Sequence, residues 1–256
     1  QLPKKTSKKP CPKPYRRHRL KIMESKEAVM PLTGHLSELR RRLIISIAML
    51  AVGMILSNFW LDEIMAFLSA PAGKLYFMKP AEAFFIYFKV MLTAGAIITA
   101  PVLFYEFWAF LVPAFTTHEK RLLFFLVPTS LTLFLSGIAF SWFIVLPRGL
   151  QFFLNFSSDS VQPLLSMESY LNFVFMLVLP FGLIFNLPLV LIVLAKLGLI
   201  TSSMLAQKRK YIILLSFIAA AVITPTTDIL SQCLLAMPMI VLLEISRIII
   251  KYGLRS

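Results

Sequence analysis

The sequence predicts an all-α polytopic membrane protein with six transmembrane helices, both termini on the inner side, a short fifth span and proline-kinked helices. Three observations predict it. Of the 256 residues, 58% are hydrophobic and mean hydropathy is +0.80, against roughly 45–50% apolar residues in soluble domains. Several runs exceed the roughly 18 apolar residues that cross a hydrocarbon core. The basic residues also sort by side. Lys and Arg at 40–42, 120–121, 208–210, 247, 251 and 255 fall together if there are six spans. The opposite connections hold Lys74, Lys79, Lys89 and Arg148 with acids interspersed. The cationic excess marks the cytoplasmic side and places both termini there.

The net charge of +14 is mostly a property of one end. Residues 1–42 carry thirteen Lys and Arg against three Glu, a net of +10, and the rest of the chain only +4. Residues 1–30 (with KKTSKKPCPKPYRRHR) read as a basic, proline-punctuated, disordered tail. They precede a membrane domain over 31–252, and 253–256 form a short C-terminal tail. The chain opens on Gln and reads as a fragment or processed form, with Met23 or Met30 as a plausible start. The tail reads as incidental, with anionic lipid or nucleic acid as its alternative ligands. No apolar core of 7–15 residues lies within it, so it is not a signal peptide. Cys11 and Cys233 imply no disulfide framework. His18, His35 and His118 lack metal-binding spacing, and no metal or cofactor is expected.

Pro31-Leu32-Thr33-Gly34 reads as a turn with Thr33 capping the first helix, which runs from about Glu38 to Leu61. Residues 62–85 read as interfacial helices and turns on the far side. The second helix covers about Ile86 to Leu111 with a kink at Pro101. The polar connection PAFTTHEKR follows at 113–121. Helix three runs from about Leu122 to Leu146 and stops at Pro147. A second far-side segment spans 148–167. Helix four runs from about Ser169 to Leu197, interrupted by Pro180, Gly182 and Pro188. The fifth span, Tyr211 to Ile223, covers only about 20 Å at 1.5 Å per residue, short of a core about 30 Å thick. It must thin the bilayer locally or sit against a partner. The sixth runs from about Ile229 to Ile250 and carries Pro238. No internal repeat is evident, unlike transporters built from duplicated halves.

No phosphate loop, nucleophile elbow or HExxH pair is present, and enzymatic activity is not expected. The chemistry lies in acids and amides that membranes usually exclude. Glu38 precedes Arg40-Arg41-Arg42, and it either pairs with Arg41 or Arg42 one turn on or serves an external cation. Glu106 lies inside the second span, where an acid faces a polar cavity or a partner. Glu119 either completes a capping box with Thr116 or joins Glu38 and Glu106 near the cytoplasmic face. Carboxylates are bidentate partners of guanidinium groups, so a ligand with exposed arginines suits such a site. Asn186 either bonds carbonyls freed by Pro188 or Pro180 or receives a partner's polar group. Asp228 reads as the cap of helix six, with Gln232 sharing it.

The segments HLSELRRRL at 35–43, SAP at 69–71, WAFLVPAF at 108–115, HEKR at 118–121, FNLP at 185–188 and TPTTDILSQ at 224–232 follow one another in a familiar order. Over about residues 31–252 the chain resembles TatC, the receptor core of the twin-arginine protein translocase. The motifs are specific jointly. The resemblance implies six helices in a cupped-hand shape and binding of folded exported proteins through a signal peptide with consecutive arginines. It also implies assembly with TatA/TatB-type single-span partners, a homo-oligomer within the receptor complex, proton-gradient power and a bacterial cytoplasmic-membrane location. Glu38 and Glu119 match the family's acids that contact the arginine pair, and Arg40 and Arg121 match basic residues of that surface. Phe110 and Pro71 match structurally important positions. Two positions depart: Asn186 stands where Glu is common, and Glu106 where Gln is usual. Two other classes compete with this reading. A small-solute transporter would use Glu106 and Asn186 as a midplane site, and a passive scaffold would tolerate loss of Glu38 and Glu119.

Overall fold

The computed structural model describes residues 32–111, 120–155, 165–223 and 229–253, without the side chains of 32–35, 120–123, 230, 231 and 253. The regular elements among these residues are helices, with one isolated parallel bridge between Tyr76 and Ser166. The chain divides into compact units of residues 1–41 and 42–256.

Helix α1 (Leu32–Ser57) passes through a 3-10 turn at Asn58–Trp60 into α2 (Leu61–Ser69). It begins at Leu32, so Thr33 lies within the helix instead of capping it. Once the Ser37–Leu43 helix exists, each added residue gains a bond without a new nucleus. Helix α3 (Pro80–Leu111) starts six residues before Ile86. Its first turn carries the reason: Pro80 stands at the first helical position and Glu82 at the third, both favoured there.

Helix α4 (Lys120–Phe140) continues through a π-helical turn at Ser141–Val145 into α5 (Leu146–Leu154). Pro147 therefore does not end the segment. It falls in the opening turn of α5, where its missing N–H costs nothing, and the wide turn before it absorbs the change in bonding. Helix α6 (Met167–Ile184) breaks at Phe185-Asn186 and resumes as α7 (Leu187–Lys196), with Pro188 in its first turn. After α8 (Ser202–Gln207), helices α9 (Arg209–Ile223) and α10 (Ile229–Gly253) complete the order. Pro101, Pro128, Pro180 and Pro238 all lie inside helices.

Among the described residues, five segments are long and apolar enough to cross a membrane: Leu36–Ser69, Pro80–Leu111, Phe124–Leu154, Met167–Lys196 and Gln232–Tyr252. Helix α9 has 15 residues, two more than its apolar run suggested, and covers only about 22 Å. That is short of a hydrocarbon core of about 30 Å.

Packing in the larger unit centres on α3, α4 and α6. Ile86, Val90, Leu146, Leu171, Val174 and Phe181 are almost wholly buried in one apolar cluster. Helices α1 and α3 cross antiparallel at two glycines. A Cβ on Gly95 would lie 2.6 Å from the backbone nitrogen of Met54, and one on Gly53 would lie 2.6 Å from the Gly95 carbonyl oxygen. Gly53-xxx-Ser57 and Gly95-xxx-Thr99 are the small-residue pattern that lets membrane helices touch. One turn beyond the crossing, Ser57 Oγ donates to the Met91 carbonyl at 3.0 Å.

Candidate functional site

Helix α3 carries an acid at each end. Glu106 is 9% exposed overall, and Arg42 Nη1 donates to its Oε2 at 2.9 Å. From the glycine crossing, Arg42 lies eleven residues back along α1 and Glu106 eleven residues forward along antiparallel α3. The tight contact therefore sets the register of the ion pair. Two residues on, the buried Trp108 indole N–H donates to Ser130 Oγ on α4 at 2.6 Å. Trp108 also packs with Leu126 of α4 and Val193 of α7. These contacts hold the Glu106 end of α3 against two further helices.

The acid at the other end, Glu82, was not singled out in the sequence. Its Oε2 accepts from the backbone N–H groups of Met78 at 2.9 Å and Lys79 at 3.3 Å. Its Oε1 accepts from Ser166 Oγ and the Glu168 N–H, both at 2.9 Å. Tyr76 and Ser166 form the parallel bridge beside it, and Tyr170 Oη donates to the Leu68 carbonyl at 2.9 Å. This carboxylate ties the segment before α3 to the start of α6. The signal was present in Lys79-Pro80-Ala81-Glu82, because a third-position Glu reaches back to the capping residue's N–H.

Asn186 occupies the break between α6 and α7 and is buried. Its own backbone N–H donates to Leu183, which leaves the Gly182 carbonyl without its helical partner. Asn186 Nδ2 takes that place at 3.1 Å. The amide thus bonds a freed carbonyl, although the carbonyl is Gly182's. Its Oδ1 is buried and has no hydrogen-bond partner among the described residues.

Gln232 Nε2 donates to the Phe217 carbonyl at 2.9 Å and links α10 to α9. Glu244 joins the same pair at the other end, bonding Arg209 at 2.6 Å and Arg247 at 2.9 Å. Pro71 is exposed in the turn after α2, and Phe110 is half-buried near the end of α3. Within residues 32–41, Glu38 is half-buried and Arg40 and Arg41 are exposed on α1. Glu119 and Asp228 lie outside the described residues, as does the side chain of Arg121. The residues assigned to the disordered tail, 1–30, also lie outside them.

Residues 34–238 match a family model described as Sec-independent protein translocase protein (TatC). The chain belongs to the TatC family. The TatC protein of Desulforapulum autotrophicum is 42% identical over 231 residues, covering 88% of this chain and 85% of that one. The Aquifex aeolicus TatC is 42% identical over 235 residues, covering 89% and 97%. A crystal structure of the twin arginine translocase receptor TatC superposes with a TM-score of 0.77 at 41% identity, covering 85% of this chain and 98% of that chain. TatC membership makes the chain a component of a protein translocase, a transport family without enzymatic chemistry. It sets aside the small-solute transporter alternative. Glu106 and Asn186, which that alternative joined, are each engaged elsewhere, by Arg42 and by the Gly182 carbonyl.

Proposed function

We propose that this chain is the subunit of a twin-arginine translocase that binds the signal peptide of folded exported proteins. It assembles with TatA/TatB-type single-span proteins and with further copies of itself for transport driven by the proton gradient. The observation that carries the reading is the Arg42–Glu106 pair. A carboxylate inside an apolar helix is occupied by a guanidinium through one oxygen, so the position already accepts the side chain that a twin-arginine signal presents. Planar guanidinium groups suit carboxylates as ammonium groups do not.

In this reading Glu38 and Glu119 contact the signal's arginines, with Arg40 and Arg121 on the same surface and Glu106 beside them. Pro71 and Phe110 hold the scaffold, and Asn186, Asp228 and Gln232 serve partner assembly. Two arginines are costly to bury in lipid, so the signal is read at the interface. Resident arginines compete for the carboxylates and keep release easy. Six spans, α9 being the short one, place both termini in the cytoplasm of a bacterial inner membrane. The short span supplies a thinned site for single-span partners.

The test is binding of an Arg-Arg signal peptide against its Lys-Lys counterpart to detergent-purified protein at moderate salt. A strong Arg-Arg preference that disappears in Glu38→Gln or Glu119→Gln is the expected result. Equal binding of the two peptides would reduce the surface to generic electrostatics and overturn the assignment.

A further inference from the structure

A lysine lies inside the α3 span with no carboxylate in ion-pair contact among the described residues. Lys89 is half-buried, and its Nζ donates to the neutral Asn172 Oδ1 of α6 at 2.9 Å. The 32 residues of α3 extend about 48 Å, against a hydrocarbon core of about 30 Å. Centring the helix puts Lys89 a few ångströms inside the boundary at the Pro80 end, within snorkelling reach of the headgroups.

One turn deeper, the same face opens into a cavity. Thr93 and Ile97 follow Lys89 at helical spacing and line a space of about 440 Å³. Phe67 and Trp142, stacked at 4.6 Å, and Phe175, one turn from Asn172, supply other walls. The lining is apolar apart from Thr93. A single acyl chain fits.

We propose that this cavity and Lys89 form a binding site for one anionic phospholipid, with an acyl chain among Thr93, Ile97 and Phe175 and the phosphodiester on the Lys89 ammonium. Asn172 Nδ2, on the same amide that Lys89 bonds, is a second donor. A choline headgroup brings its own cation to the phosphate and competes with Lys89. A headgroup without one leaves the charge to be matched by the protein. The site is independent of how the arginine signal is read.

The test uses the full chain purified in detergent, with phosphatidylglycerol and phosphatidylcholine of identical acyl chains, bound lipid being counted by native mass spectrometry. The wild-type protein is expected to hold one phosphatidylglycerol with a preference of about tenfold or more over phosphatidylcholine. Lys89→Gln should erase the preference while phosphatidylcholine binding persists. Ala94→Phe, which fills the cavity, should weaken both lipids, and Ile97→Trp fills it independently if the first variant fails to fold. Equal affinities in the wild type, or a preference that survives Lys89→Gln, would overturn the headgroup assignment. Undiminished binding in a folded cavity-filling variant would overturn the chain site. Displacement of both lipids by an uncharged apolar peptide, unaltered by Lys89→Gln, would give the groove to a peptide instead.

Discussion

At the scale of single residues, the Arg42–Glu106 pair combines local stability with a candidate binding role. Both side chains are mostly shielded, at 22% and 11% exposure, so removal of Arg42 leaves the Glu106 carboxylate poorly solvated. A double-mutant cycle of Arg42→Ala and Glu106→Ala, followed by thermal unfolding in detergent, should return a coupling of about 1–3 kcal/mol. Additive effects would show the pair to be incidental. The sequence identified Glu106 as an acid needing a partner, because charge inside an apolar run is conspicuous. It did not identify Arg42 as that partner. Helical spacing reveals neighbours three and four positions away, whereas these two are 64 apart. Glu82 went unremarked because it stood at the edge of a span, where an acid is unexceptional.

Between elements, the glycine crossing of α1 and α3 has the narrowest tolerance. A side chain at Gly95 would press on backbone atoms of α1, which cannot turn aside as a flexible side chain can. Gly95→Val should cost about 1–3 kcal/mol and also weaken the Arg42–Glu106 coupling measured above, since the two helices must separate. An unchanged coupling would show that the crossing does not govern the pair. Helix boundaries were less legible than helix existence. Pro147 signalled a stop because a proline deletes one backbone donor, but the preceding π turn had already displaced the bonding pattern. The α6–α7 break was legible in outline from Pro180, Gly182 and Pro188. Its position at Phe185-Asn186 depends on which carbonyl the amide reaches.

For the whole molecule, hydropathy and the distribution of Lys and Arg gave the helical membrane class and its apolar segments. Both signals are sums over many residues and tolerate local error. Orientation can be tested directly. In a cysteine-free background, Ala72→Cys should react with a membrane-impermeant maleimide on intact cells, and Ser203→Cys only after permeabilisation. Labelling of both from one side would contradict the six-span arrangement. The TatC resemblance was readable because its motifs occur in a fixed order along most of the chain. No such order betrays Gln232 to Phe217, a bond that exists only once α9 and α10 have packed.

The glycine contact also bears on time. A one-residue slide of α1 along α3 shifts it by about 1.5 Å and would drive backbone into backbone at Gly53 and Gly95. Arg42 can leave Glu106 by rotating its own side chain, without a helix register shift of microseconds or longer. If a signal arginine replaces Arg42 on Glu106, as proposed, the exchange asks nothing of the helix register.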